Sequence, residues 1–512
     1  MPREAPTFLP PLSLPGLTNY VVASLFFYLP LSMPLHIAVH QIVDHRSVWV
    51  SLAYPESLAI LLLALLVFAR SRSRSLSLSA RNDSGFWWIV GCACAYLVFA
   101  GAAAVLQGSD LPFAVRKLTM QWALPIFLAI SLRRIWSPAL DHLIRWALIR
   151  GTFALLLLAL VAYVCSFPIP RSFGELVFVN RTSLIWRGLS GGVLFGEIPF
   201  GGVNPLAAHI ATVSCLVIGS LLARERFLSK PFLLSWIGLA WLIEYLCFSR
   251  GALLFLFAAV LAFAVNSLAL RGPRLSPTVI GLTGALFLAA TLPPGALAYW
   301  NEQLRALPGS SAASRSSQWK HIAEGEEIAE SEIPAAASDR MREDVANEWA
   351  EEKEGPDERA DATTPRLSEV SIAKRSKPSA YEELQKEITA RIGEPTRRLL
   401  IGYGVGNYGI LRGLVPDSGS HNIFLDALLE AGVLGAVCFG LFFLLGFIRR
   451  IRGWLAARKA SGEEEATEFS RLLAFASIAV IGVLVDYRLE NLGTMTGAGI
   501  LWFLVVPPPE NA

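Results

Sequence analysis

The stretch HNIFLDALLEAGVLGAVCFGLFFLLGF, residues 421–447, decides the class of fold. After Glu430 it carries no charge, and its length meets the roughly 17 to 25 apolar residues a helix needs to cross a bilayer core. Backbone in hydrocarbon must satisfy its own hydrogen bonds, so a run of this kind is helical.

Working outward, comparable runs lie near 19–39, 48–69, 86–106, 114–132, 147–166, 204–222, 233–248, 251–268, 277–298, 471–487 and 493–508. The first is too long, and with Pro15 and Pro30 too poorly flanked, for a cleaved signal peptide. A chain of 512 residues that is 54% hydrophobic and 17% charged, with mean hydropathy +0.50, is too apolar for a soluble protein of this size. Its net charge of +3 gives no bulk attraction to nucleic acid, and none is expected as a partner. Cys92, Cys94, Cys165, Cys215, Cys247 and Cys438 all fall in or beside apolar runs, where they read as small packing residues. Cys92 and Cys94 lack the second pair that a zinc site needs. The expectation is an all-α polytopic membrane protein of about twelve transmembrane helices, nine of them within 1–298 and three within 421–512.

Short connections set the orientation. Arginines and lysines collect in alternate ones: Arg70, Arg72, Arg74 and Arg81, then Arg133, Arg134 and Arg145, then Arg224, Arg226 and Lys230, then Arg271 and Arg274, then Arg449 to Lys459. By the positive-inside rule these lie in the cytoplasm, with both termini. The opposite side holds a medium loop, 167–203, and a large extracytoplasmic loop, 299–420, between the ninth and tenth helices. Within that loop, about 325–377 is rich in Glu, Ala, Ser and Pro and poor in aromatics, so it cannot bury enough apolar surface to fold alone. Its acids read as a solvated face. The flanks, 300–322 and 379–420, carry aromatics, glycines and the helically spaced Tyr381, Leu384, Ile388 and Ile392, and are expected to pack on the bundle.

Residues with chemical potential lie at the extracytoplasmic ends of the spans. Ser249-Arg250-Gly251 is wedged between two apolar runs, and an arginine there either marks a functional pathway or is a snorkelling or salt-bridged residue, with Glu244 as a candidate partner. Gly402, Gly404, Gly406 and Gly409 give a backbone suited to close approach, yet outside a strand–turn–helix unit they do not make a nucleotide site. His421 opens an apolar helix after the turn residues Asp417 to Ser420. A helix N-terminus disfavours imidazolium and keeps such a ring able to accept a proton, although a lone histidine is usually structural. Asn422, Asp426 and Glu430 follow at i, i+4 and i+8, a polar face running down into the membrane.

Together these elements resemble the O-antigen ligase and polymerase family. The resemblance rests on Gly202-Val203-Asn204-Pro205, on Ser249-Arg250-Gly251 heading a span, on Arg315-Ser-Ser-Gln-Trp319, on the glycine motif, and on Ser420-His421-Asn422 with Glu430-Ala431-Gly432. It implies a metal-independent, inverting transfer of a glycan from an undecaprenyl-pyrophosphate carrier to an acceptor hydroxyl at the outer face of a bacterial inner membrane, without a cofactor. The acceptor would be lipid A-core or another glycan or protein, and membrane lipid a constant neighbour. Carried over, His421 is the base, and Arg250 and Arg315 hold the pyrophosphate. Arg397 or Arg398 can fill the place of Arg315, and Asn422 and Glu430 are further substrate-binding candidates. A polymerase of the same family and, from another class, a polysaccharide or lipid transporter are the alternatives. A transporter would place its polar groups on broken helices at mid-depth. A membrane scaffold would tolerate loss of Arg250 and His421.

Overall fold

The computed structural model describes residues 14–42, 55–73, 83–166, 203–223, 228–247, 250–271, 399–408, 422–459, 462–484 and 496–507, with 281, 388 and 390 singly. These residues form an all-α bundle. In chain order the helices are α1 (Leu14–Ile42), α2 (Pro55–Ser73), α3 (Ser84–Leu106), α4 (Leu111–Leu118), a π-helical turn (Thr119–Ala123), α5 (Leu124–Ile135), α6 (Pro138–Ser166), α7 (Val203–Leu222), α8 (Lys230–Cys247), α9 (Arg250–Arg271), α10 (Ile423–Ala457), α11 (Gly462–Leu484) and α12 (Thr496–Val505). Among the described residues, six helical stretches are long and apolar enough to cross a membrane: Leu14–Ser32, Ser84–Leu106, Leu111–Ile135, Pro138–Val161, Ile423–Ala457 and Glu463–Val483. Shorter apolar helices at Pro55–Ala69, Leu206–Leu222, Leu254–Asn266 and Thr496–Val505 accompany them. The chain is a multi-pass membrane protein. The expected run at 277–298 and most of the loop 299–420 fall outside the described residues.

Local chemistry sets the boundaries. Asp83 caps α3 by accepting from the Phe86 N–H at 3.1 Å, and Gly108, with φ of 62°, ends it in the left-handed region. Asp110 caps α4 at once by accepting from the Phe113 N–H, and Pro112 occupies its first turn. Pro125 has no N–H to donate to the Gln121 carbonyl, and the ladder slips into the π turn at this point.

Helix α3 runs antiparallel to α10, with Asp83 at one end bonded to Arg449 and Tyr96 further along stacked on Phe439. Helix α1 packs on α6, where Gly151 meets the backbone of Phe27 with no room for a Cβ, and α7 packs on α11, where Gly219 meets Ser470. In lipid no hydrophobic force separates helices from solvent, so close approach of small residues and interhelical hydrogen bonds supply the association. Here Thr152 bonds His209 at 3.1 Å, Thr212 bonds Ser477 at 2.7 Å, Ser32 bonds Thr496 at 3.2 Å, and the Trp236 indole donates to the Ile149 carbonyl at 3.0 Å. An aromatic seam continues from Tyr96 to Trp122 (4.7 Å), Phe442 (5.6 Å) and Trp502 (5.2 Å), joining α3, the π turn, α10 and α12.

One end of the bundle is closed by a buried ion network. Asp83 takes a two-pronged contact from Arg449 (2.8 and 2.6 Å) and a third from Arg133 (2.9 Å). Arg449 and Arg450 also donate to the Val505 and Pro507 carbonyls, anchoring the end of α12. Glu468 joins Arg450 to Arg471, Arg471 meets Asp141, and Asp141 meets Arg145 at 3.1 Å. The starts of α3, α6 and α11 and the ends of α5, α10 and α12 are thereby tied in one layer.

Candidate functional site

The other end of the bundle is organised by glycine. Residues 399–408 insert between the α3–α4 turn and α10. Gly402, Gly404 and Gly406 have φ of 88°, 84° and 82°, values that L side chains rarely adopt. A Cβ on Gly402 would lie 2.6 Å from the Gly432 nitrogen, and one on Gly404 would lie 2.6 Å from the Ser109 hydroxyl. The Gln107 amide donates to the Gly402 carbonyl at 2.9 Å, Asn407 donates to the Gln107 and Tyr403 carbonyls, and the Tyr403 N–H donates to the Leu429 carbonyl. This part of the loop flank packs on the bundle, as its aromatics and glycines led us to expect.

The inserted loop occupies a break in α10. Gly432 has φ 67° and ψ −172°, a conformation confined essentially to glycine, and it divides α10 into a short helix, 423–431, and a long shaft, 433–457. The polar face read at 422, 426 and 430 ends before this break: Asp426 and Glu430 share one face of the short helix, and Asn422 directly precedes it. Asn422 is the cap, its amide oxygen accepting from the Phe424 and Leu425 N–H groups at 3.0 and 3.3 Å. Asp426 and Glu430 face a cavity lined also by Tyr96, Lys117, Gln121 and Trp122. Its volume of about 30 Å³ admits water.

Glu430 anchors this cluster. Its Oε1 accepts from the Lys117 ammonium at 2.6 Å, and its Oε2 accepts from the Tyr96 hydroxyl at 3.3 Å. The Lys117 and Glu430 side chains are only 9% and 11% exposed, so each charge depends on the other in a water-poor setting. Arg116 and Lys117 both lie over the Phe113 ring, at 5.3 and 5.9 Å. Lys117, two residues before the π turn Thr119–Ala123, and Gln121, within it, meet in the cavity. Among the described residues no group of three or more His, Cys, Asp or Glu is placed to hold a metal ion.

Of the residues singled out from sequence, Asn422 and Glu430 are thus brought to one short helix. Arg250 is the first residue of α9, and its side chain lies outside the described residues, as do His421, Arg315, Arg397 and Arg398. Glu244 is fully buried near the end of α8, and neither carboxylate oxygen accepts a hydrogen bond from another described residue. Sequence reading passed over Arg116 and Lys117, which follow the head of the 111–135 span opposite the arginine-rich connections. Cations at that depth on that side were the available signal.

No protein-family model matches the chain, and no curated protein matches it. Fold and site together define a multi-pass α-helical membrane protein with a buried lysine–glutamate pair and a broken helix at one end of its bundle.

Proposed function

We propose that the chain is a membrane glycosyltransferase that moves a glycan from an undecaprenyl-pyrophosphate carrier to an acceptor hydroxyl. The observation that carries this reading is the short helix 423–431, which begins one residue after His421-Asn422 and ends on a buried, cation-paired carboxylate beside a water-sized cavity. The proposed topology has about twelve spans, the arginine network in the cytoplasm, both termini inside, and 299–420 on the periplasmic side of a bacterial inner membrane. The site then lies where lipid-linked donors are exposed. Lipid A-core, another glycan or a protein would serve as acceptor, as in a ligase, and a growing chain would serve in a polymerase.

In the reaction, the acceptor oxygen attacks the anomeric carbon, its proton passes to His421, and the carbon–oxygen bond to pyrophosphate breaks with inversion. A neutral imidazole in reach of the hydroxyl contributes about 10²–10⁴-fold. Guanidinium forks from Arg250 and from Arg315, or from Arg397 or Arg398, stabilise the departing pyrophosphate by bidentate hydrogen bonds.

The break at Gly432 is the one feature that favours the transporter reading, since transporters bind substrate on discontinuous helices near mid-depth. On the proposed topology its depth argues against it: from Gly432 to Arg449 the helix rises about 26 Å, nearly a full hydrocarbon thickness, so with the arginine network at the inner edge the break falls at the outer one.

The deciding assay is transfer in vitro from purified undecaprenyl-pyrophosphate glycan to acceptor, with chelator present. His421→Ala should lose transfer while still binding donor, because the base serves attack alone. Arg250→Lys should be severely impaired, since lysine keeps the charge and loses the fork. Near-normal turnover by His421→Ala, or translocation of glycan without covalent transfer, would sink the proposal.

A further inference from the structure

We propose that Lys117 is a positioning residue for the transfer site: through its ion pair with Glu430 it fixes the short helix 423–431, whose cap, Asn422, adjoins His421. The inference rests on the glycan-transfer reading above.

The break at Gly432 frees the short helix from the direction of the shaft that follows it. Its orientation is therefore set by its own fastenings: Ile423 and Phe424 pack at its start, against Gly482 and against Phe439 and Phe443, and polar contacts among the described residues hold its last two turns. Lys117 and Tyr96 hold the Glu430 side chain, and the Tyr403 N–H holds the Leu429 carbonyl. The lysine comes from α4, whose own start is fixed by the Asp110 cap and by packing on α3. The link therefore runs from the rigid α3–α4 pair, through one buried ion pair, to the helix next to the proposed base.

The length of the short helix makes the link consequential. Nine helical residues span about 13 Å, so a tilt of about 10° at the Glu430 end moves the cap by about 2 Å. A displacement of even 1 Å from productive geometry can lower a rate by about a hundredfold. Lys117 can thus govern turnover through Glu430 without touching donor or acceptor. Gln121, one turn beyond Lys117, lines the same cavity, whose volume of about 30 Å³ admits water.

The test uses the full-length chain in nanodiscs. Lys117→Met should lower kcat by about a hundredfold while KM for the donor stays within about twofold. Lys117→Met/Glu430→Gln, which leaves no buried unpaired carboxylate, should show the same loss. The exchange Lys117→Glu/Glu430→Lys should recover at least about tenfold over either single variant, because the pair is restored with its ends reversed. Spin labels at Leu425 and Val105 supply a readout that a general loss of stability does not mimic. Their distance distribution should broaden in Lys117→Met/Glu430→Gln, compared with wild type at equal folded fraction, and narrow again in the exchange variant. A raised donor KM with kcat preserved would assign Lys117 to direct substrate binding and overturn the positioning role. So would a kcat loss that merely follows the fraction of folded protein, or an unbroadened distribution. An active wild type with unimpaired Lys117→Met defeats this inference alone, whereas an inactive wild type defeats the transfer reading and this inference with it.

Discussion

Gly432 carries more of the site than any charged residue, because two separate constraints meet at its α-carbon. Its backbone lies in a region that side chains exclude, and an added Cβ would fall 2.1 Å from the Leu400 carbonyl oxygen. Gly440, in the same helix, has nothing within 4 Å of the corresponding point. Gly432→Ala should therefore destabilise the protein by at least about 2 kcal/mol, expelling the 399–408 insertion, whereas Gly440→Ala should change stability by less than about 1 kcal/mol. Thermal unfolding of the two variants in the same detergent measures the contrast, and equal Tm values would show that the break is not needed. From sequence, Gly432 was one part of a Glu-Ala-Gly motif at the head of an apolar run. Nothing local distinguished it from Gly435 or Gly440, since the clash that makes it irreplaceable comes from residues about thirty positions earlier in the chain.

At the scale of helices, the most informative feature is the layer of ion pairs that ties six helix ends together. Asp83 lies just outside the spanning part of α3. Burial pushes its carboxyl up, but the Arg449 hydrogen bond and charge, the Phe86 N–H and the Arg133 charge outweigh that and hold it below the ordinary carboxylate range. A carboxyl depressed in the folded state contributes stability above its unfolded value, about 3.9, and the contribution is lost as pH falls through the folded value. Wild type should therefore lose more stability than Asp83→Asn when pH is lowered from about 5 to 3. At neutral pH Asp83→Asn should itself be less stable by about 3–5 kcal/mol, since two buried guanidinium groups lose their shared anion. Parallel stability profiles of the two proteins across that range would contradict the assignment. Arg133, Arg145, Arg449 and Arg450 were read from sequence only as markers of orientation, and Arg471 was not singled out. Their partners, Asp83, Asp141 and Glu468, come from segments far apart in the chain, and pairing among them is decided by which helices pack.

For the whole molecule, the two ends of the bundle differ in kind: one is a layer of arginine–carboxylate contacts, the other a glycine-rich insertion around a small polar cavity. On the topology proposed from the positive-inside asymmetry, the first lies in the cytoplasm and 299–420 outside. Single cysteines in 70–84 or 448–470 should resist impermeant maleimide in spheroplasts and react only after lysis, while those in 299–420 should react before it; the reverse pattern would invert the topology and remove the site from the side that faces lipid-linked donors. The all-helical, multi-pass character was settled by the sequence alone, because a long apolar run in lipid has helix as its one way to satisfy its backbone. The sequence also drew attention to the segments around 402–408 and 421–432, the first by its clustered glycines and the second by acids, which are costly next to hydrocarbon. Only the tertiary structure decided that the glycine motif fills a break in α10, that Asn422 is spent on a cap, and that Glu430 is paired with Lys117 rather than left facing open space. Each of these depends on which distant backbone or side chain arrives at the same point, and helical periodicity, which repeats every few residues, holds no information about contacts hundreds of positions apart.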